Sequence, residues 1–486
     1  MIVYKNSYLF FLLSCVFTQP LLAKESTKTP IKHIVIVFQE NRTFDNYFAT
    51  YPFAENRPGE TPFIAEKNTP SMNGLTKALT TNNQNLVQPY RVSPGQSSEV
   101  DPGHDYTPLQ QACHKGLMDR FVEATGTSPN PQSVMEYVDG NTSTALWNYA
   151  QFFSMSDNCR STSMGASTIG AINLVSGQTH GVPGPDIAPY VISGTILNDL
   201  DPTYDECSAS PTAELTGINV GNLLNAKGVT WGWFHGGFAN CNATHEGPFG
   251  PVVDYVSHRN PFQFYQSTSN PLHLPPSSPG MIGKTDQANH NYDMSDFWIA
   301  LENGNLPAVS FIKAPQYQSG HPEQSDPLLE QEFLAATINK LQTYKHYWKN
   351  MAIIIAYDDA GGFYDHEPPI LINDSQLADY DVLTAPGFAG DHAPIGGYQG
   401  RPGYGQRLPF ILISPWAKVN FVSHDLIDQT SILRFIEDNW DLGRIGDFSF
   451  DAYSGSLLDM FDFKKRQLRY LFLNPNTGAI EYKSHL

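Results

Sequence analysis

Three runs of apolar, largely β-branched residues constrain this chain most: Ile31 to Phe38 (IKHIVIVF), Met351 to Tyr357 (MAIIIAY) and Leu408 to Ser414 (LPFILIS). A strand with one face in water alternates apolar and polar side chains, whereas a near-continuous apolar run belongs to a sheet covered on both faces. Helical periodicity falls between the runs. Asp326 to Tyr344 sets Leu328, Leu329, Phe333, Ile338 and Leu341 at roughly helical spacing behind a Ser-Asp-Pro start, and Asp428 to Trp440 does the same with Ile432, Leu433, Phe435 and Ile436. The alternation predicts an α/β fold, a three-layer sandwich around a central, mostly parallel sheet.

Stretches 51–96, 179–216, 268–283 and 370–404 are rich in Pro, Gly, Ser and Asn, and no charge run or repeat divides the chain. They read as long ordered insertions in one domain over residues 24–486. After Gly446 the patterning weakens, and 447–486 is assigned neither to the core nor to an appendage.

The amino terminus reads as an export signal: Lys5, an apolar run from Tyr8 to Leu13 resumed at Val16 and Phe17, then Leu21-Leu22-Ala23 as a small-residue cleavage site. Residues 1–23 are assigned to it, and the product to the periplasm or the exterior. A membrane-spanning helix needs about 20 apolar residues, more than any run here supplies. The rival reading makes Leu12-Leu13-Ser14-Cys15 a lipobox with Cys15 acylated. Cleavage after Ala23 would leave Cys113, Cys159, Cys207 and Cys241, an even set that in an exported protein predicts two disulfides without saying which pair.

The 486 residues carry 29 Lys and Arg against 48 Asp and Glu, a net charge of −19. That excess excludes a nucleic-acid partner, since binding there rests on basic side chains neutralising phosphates. No obligate protein partner is expected either.

Polar residues at the carboxyl ends of buried strands mark where open α/β sheets build their sites. The first run leads into Gln39-Glu40-Asn41-Arg42 and the second into Asp358-Asp359. If the two strands run the same way, Glu40, Asn41, Asp358 and Asp359 meet at one edge of the sheet. Three carboxylates held together raise one another's pKa unless a cation neutralises them, which is the physical case for a metal site. Each pair alone would read as a solvated strand end or a helix cap. The third element, Ser161 to Gly177 (STSMGASTIGAINLVSG), is a small-residue turn before a helix, which can present Ser167 beside helix amides. It lacks the Gly-x-Ser-x-Gly spacing of a hydrolase elbow, and no P-loop occurs. Histidines in polar loops, His104, His258, His321 and His366 among them, are candidates for phosphate contacts, leaving-group acids or ligands.

Seven blocks, in order from Ile31 to Asn439, carry a family resemblance: IVIVFQENRTFDNYF, DPGHDY, SMGASTIGAINLVSGQTHG, TDQANHNYDMSDFW, NLPAVSFIKAPQYQSGHPEQSDP, IIIAYDDAGGFYDH and RLPFILISPWAKVNFVSHDLIDQTSILRFIE. Together they resemble the bacterial phosphoesterase family of secreted phospholipases C and a broad-specificity acid phosphatase. The resemblance implies an alkaline-phosphatase-like fold and one divalent metal held by Glu40, Asn41, Asp358, Asp359 and the Ser167 hydroxyl. It makes Ser167 the nucleophile and puts His104, His258 and His321 around the phosphoryl group. Ala166 and Ile169 stand where the family has prolines, which should loosen the turn, and Ser257 stands where it has the first of paired histidines.

The expected activity is that of a secreted phospholipase C acting through a phosphoseryl intermediate at a phospholipid surface, phosphatidylcholine foremost. The other readings are a broad acid phosphatase and a non-catalytic exported binding protein. Ligand softness allows Mg²⁺, Mn²⁺ or Ca²⁺, and the resemblance to phospholipases favours zinc. Phe262, Phe264, Tyr265, Phe363, Tyr364 and Tyr404 are candidates for the lipid boundary, against the ordinary alternative of core packing.

Overall fold

The computed structural model describes residue 1 and residues 26–97 and 100–484; the segments read as an export signal or, alternatively, a lipobox at Cys15 lie outside them. Eight strands form the central sheet: β1 (His33–Gln39), β2 (Ser154–Ser156), β3 (Trp231–His235), β4 (Asn291–Asp293), β5 (Val309–Lys313), β6 (Met351–Tyr357), β7 (Phe410–Ile413) and β8 (Phe421–Ser423). Their order is β4-β3-β5-β1-β6-β7-β2-β8. The pairs β4/β3, β3/β5, β5/β1, β1/β6 and β2/β8 are parallel. β7, the third apolar run, is antiparallel to both of its neighbours. The expected α/β architecture with a mostly parallel sheet is present.

Every residue of β6, and every residue of β1 after His33, is buried. Helices on each face account for this. On one side α2 (Ser167–Ser176) packs against α6 (Gln429–Trp440) and α3 (Val220–Lys227). On the other, α5 (Pro327–Thr343) packs against α1 (Thr144–Phe152), and its Lys340 lies over the Trp298 ring of α4 (Met294–Asn303). The Asp326 carboxylate caps α5, accepting from the amides of Leu328 and Leu329 at 2.9 and 2.8 Å. Asp428 caps α6 in a capping box with Ser431.

The last residues belong to the same core. Leu457, Met460, Phe461, Tyr470, Leu471 and Leu473 are buried with the sheet residues. β9 (Tyr470–Leu473) pairs with β10 (Ile480–Ser484). The hairpin is tied to α5 by Asn339 Nδ2 donating to the Leu473 carbonyl and Gln342 Nε2 to that of Leu471, each 2.7 Å.

Two expectations are corrected. Cys207 and Cys241 form a disulfide, but Cys113 and Cys159 are free thiols, buried in separate apolar clusters. The six candidate lipid-boundary aromatics are all buried, because each fills space between elements. Phe262 packs among Trp231, Trp233 and Phe311, Phe363 lies beneath the Arg42 guanidinium, and Tyr364 stands edge-on to Phe121. Tyr404 packs near Phe450, and Phe264 joins the main core. Tyr265 donates its hydroxyl to Ser176 Oγ at 2.9 Å. No helix among the described residues is long and apolar enough to cross a membrane.

Candidate active site

β1 and β6 are adjacent, parallel and in register from His33 opposite Met351 to Gln39 opposite Tyr357. The next residue of each strand is therefore an acid, and Glu40 and Asp358 leave the sheet side by side. Asn41 follows with a positive φ of 48°. Its backbone amide donates to Asp358 Oδ1 at 3.1 Å, and the amide of Asp359 donates to the same oxygen at 2.8 Å. Gly361, φ 59°, lies against the Asn41 carbonyl, and a Cβ there would come within 2.5 Å of that oxygen. The strand ends are thus locked together by backbone contacts before any side-chain ligand is considered.

Ser167 is brought to this point by the first turn of α2. Thr162, in the preceding loop, donates its amide to Gln429 Oε1 at 3.0 Å, and Gln429 Nε2 donates to the carbonyls of Tyr357 and Asp358. Asn173 Nδ2 donates to Ser163 Oγ at 2.9 Å. The Ile169 side chain folds over Gly165 and fills the inside of the turn. Ser167 Oγ lies 3.2 Å from Glu40 Oε2, 3.3 Å from Asn41 Oδ1 and 3.2 Å from Asp359 Oδ2. All four side chains are buried. The geometry therefore brings together Glu40, Asn41, Ser167 and Asp359, with Asp358 behind them.

Two buried cations hold these acids. Lys313 closes β5, the strand on the other side of β1, and its Nζ bridges Glu40 Oε1 and Asp358 Oδ2, the latter at 3.3 Å. Arg259 Nε lies 3.2 Å from Glu40 Oε2. Burial would raise the Glu40 pKa, yet Arg259 and Lys313 hold it well below the usual carboxylate range. Burial and the charge of Glu40 push Asp358 well above that range, and burial, opposed by His104, takes Asp359 up to about 7. Three acids crowded into one buried site thus leave two carboxyls above their ordinary range, a repulsion that a further cation would relieve, and the cluster consists of hard oxygen donors. Ser167 Oγ sits among three of the oxygens, one each from Glu40, Asn41 and Asp359. That donor set fits one divalent cation.

The histidines take different places. His104 Nε2 is 3.2 Å from Asn41 Nδ2, and its ring centroid is 6.1 Å from that of His321. Burial alone would lower the His104 pKa, but Asp101, Asp359 and Asp199 outweigh it and raise it to about 10. The amide of Asn41 would suit an unprotonated Nε2; the three surrounding acids decide in favour of the charged ring. For His321, burial and then Arg259 push the pKa well below its ordinary value. Its Nδ1 donates to the Pro322 carbonyl at 2.7 Å, and its loop is held by Arg42 Nη2, which donates to Gly320 at 2.7 Å. His258 stands further out, 3.7 Å from Asp199 and 3.5 Å from Asp201. Asp199 accepts from the Thr168 amide at 2.8 Å, so His258 reaches the turn that carries Ser167 through that carboxylate. His366 lies outside the site, bound at 2.6 Å to Asp45 in a network with Arg407 and Asp365.

Lys313, Arg259, Asp199 and His235 were not among the candidates from sequence. His235 ends β3 directly opposite Lys313 and is buried with its Nδ1 unbonded. A strand ending in a lone lysine beside the acid-tipped strands, as in VSFIK, was the one signal available.

Among curated proteins, the chain is similar to a non-hemolytic phospholipase C of Burkholderia pseudomallei, 26% identical over 86% of this chain and 56% of that protein. A non-hemolytic phospholipase C of Pseudomonas aeruginosa is 25% identical over 84% of this chain and 54% of that one. The chain thus spans little more than half the length of these relatives. A solved structure of a protein in the alkaline phosphatase superfamily from Vibrio parahaemolyticus is 10% identical, with a TM-score of 0.34 over 93% of this chain and 76% of that one. The profile of the Phosphoesterase family matches residues 31–443, all the strands of the central sheet and the site at their ends included, and the chain belongs to that family.

Proposed function

We propose that this protein is an exported, metal-dependent phosphoric ester hydrolase of the phospholipase C type, cleaving a phospholipid to diacylglycerol and a phosphorylated headgroup. The observation that carries the reading is the seat of Ser167 Oγ, within 3.3 Å of Glu40, Asn41 and Asp359 at the end of the sheet. Relatives named phospholipase C in two organisms support the substrate class.

Glu40, Asn41, Asp358, Asp359 and Ser167 would hold one divalent cation, zinc ahead of Mg²⁺, Mn²⁺ or Ca²⁺. Such an ion, when bound, supplies Lewis-acid polarisation of the phosphoryl group and lowers the pKa of the serine hydroxyl. Ser167 Oγ attacks phosphorus in line: its O–P bond forms, the P–O bond to the alcohol breaks, and a phosphoserine results. The serine proton has Glu40 Oε2 and Asp359 Oδ2 as acceptors, each at 3.2 Å. His104, charged and set between Asn41 and His321, is the proton donor for the leaving alcohol. Water then cleaves the phosphoserine, with the neutral His321 next to His104 as the base. Asp101, Asp199 and Asp201 border the site, and the chain as a whole carries −19. Both favour a zwitterionic headgroup such as phosphocholine over an anionic surface.

The test is to incubate the purified protein with mixed phospholipid vesicles, with and without chelator, and identify the products. Diacylglycerol with phosphocholine, abolished by chelator, is the expected result. Inorganic phosphate from soluble monoesters alone would make the protein an acid phosphatase instead, and no turnover of any phosphoester would leave only a binding role.

A further inference from the structure

Arg259 is only 4% exposed, at the end of the short turn Ser257–Arg259. Its Nε lies 3.2 Å from Glu40 Oε2, yet the directions do not match, and neither Nε nor Nη1 makes a hydrogen bond. Buried charged N–H groups left without hydrogen bonds are expensive, and beside a reaction site an arriving acceptor can complete them. Glu40 balances the charge of Arg259 but does not satisfy its N–H donors. Lys313 already bridges Glu40 Oε1 and Asp358 Oδ2, so the carboxylate that Arg259 faces has a cation on its other oxygen.

The position of the guanidinium says what the missing acceptor is. Glu40 Oε2 is 3.2 Å from Arg259 Nε and 3.2 Å from Ser167 Oγ, so a single carboxylate oxygen separates the arginine from the nucleophile. Arg259 is also near enough to His321 and Asp101 for its charge to act on both. A tetrahedral phosphoryl group attacked by Ser167 would carry its non-bridging oxygens into this space. Guanidinium is the side chain best matched to such oxygens, being planar, permanently charged and rich in N–H donors.

We propose that Arg259 is a further catalytic residue, donating to a non-bridging phosphoryl oxygen as charge builds there during attack by Ser167. The inference rests on the phosphoesterase reading above. It assigns to Arg259 a contact made by substrate and strengthened in the transition state, and it gives the short turn that also carries His258 its function.

The probes are orthovanadate, a mimic of the five-coordinate phosphorus, and inorganic phosphate, titrated against wild type, Arg259→Gln and Arg259→Lys, with metal content and thermal unfolding measured on each. In Arg259→Gln the expected result is vanadate binding weakened about 100-fold or more, phosphate binding about 10-fold or less, and kcat on p-nitrophenylphosphorylcholine down by about 100-fold at a little-changed KM. Bound metal stays at the wild-type level. Arg259→Lys keeps the charge beside Glu40 and the fold but recovers only a small part of the vanadate affinity, and free guanidinium partly restores Arg259→Ala. Vanadate affinity and kcat within about 3-fold of wild type in Arg259→Gln, or activity lost only in proportion to lost metal, would overturn the assignment while leaving the phosphoesterase reading standing. A wild-type protein that binds neither oxyanion and turns over no phosphoester would overturn both.

Discussion

Gly170 lies directly against the carbonyl of Asp358: a Cβ at position 170 would come within 2.0 Å of that oxygen. The helix carrying Ser167 can approach the end of β6 only because this position has no side chain. In an exposed helix, Gly→Ala would gain about 1 kcal/mol. Here the contact is with backbone, which cannot swing aside, so overpacking of about 1–3 kcal/mol wins. Gly170→Ala should therefore lower the unfolding midpoint and, by shifting Ser167 away from Glu40 and Asp359, reduce kcat at least 10-fold. A variant as active and as stable as wild type would show that the helix has slack at this contact.

Ser167→Ala should abolish turnover of a chromogenic phosphoester and any phosphorylated-enzyme intermediate trapped by acid quench. Four of the five proposed ligands remain, so elemental analysis should still find the metal. Near-normal turnover would remove Ser167 as nucleophile.

Lys313→Met removes the cation that bridges Glu40 and Asp358, leaving Asp358 without a cation and Glu40 with Arg259 alone. Breaking a buried pair in this way costs about 3–5 kcal/mol. The loss should be largest in chelator and mostly recovered by added divalent ion, read as unfolding midpoints with and without metal. Equal midpoints for the variant and wild type in chelator would contradict the role given to Lys313.

His290 supplies a pH dependence away from the site. It is stacked on Trp231 at 4.3 Å, with Nδ1 at 2.9 Å from the Trp231 carbonyl and Nε2 at 3.0 Å from Thr285 Oγ1. Burial lowers its pKa to about 4. Below pH 6.5 the unfolded chain binds a proton that the folded chain refuses, so stability falls as pH drops from about 6.5 to 4, by up to about 3 kcal/mol. The difference in unfolding free energy between wild type and His290→Gln, measured across that range, should change by this amount and level off below pH 4. A difference independent of pH would refute it.

The cysteine arrangement can be counted. Denatured, unreduced protein beginning at residue 24 should show two reactive thiols, Cys113 and Cys159, and the native protein none, since both are buried. Reduction should destabilise the fold by about 2–5 kcal/mol through the 34-residue separation closed by Cys207 and Cys241. Four thiols without reductant would mean that the disulfide does not form.

What the sequence disclosed followed from pattern. β1 and β6 were legible because buried parallel strands are almost wholly apolar, and the acids just beyond them stood out against that background. The helix caps Asp326 and Asp428 were legible for the same local reason. Lys313 and Arg259 were not, because one basic residue has no periodicity and its meaning lies in what a distant strand brings to it. Disulfide pairing was beyond spacing alone, and Cys113 and Cys159 turned out to belong to different apolar clusters. The aromatics at 262–265 and 363–364 sit in loop-like composition, yet three-dimensional packing draws them into the interior.

The register between β1 and β6 also has a consequence for how the protein is made. Asn41 and its partner Asp358 are 317 residues apart in the chain. A ribosome has therefore released Glu40 and Asn41 long before Asp358 and Asp359 exist, and β1 waits with both edges unpaired until β5 and β6 follow. Pairing at such separation is slow and exposes strand edges to aggregation. The proposed ion-binding pocket and the finished sheet consequently appear together, late in folding, and a chain truncated before residue 351 would have neither.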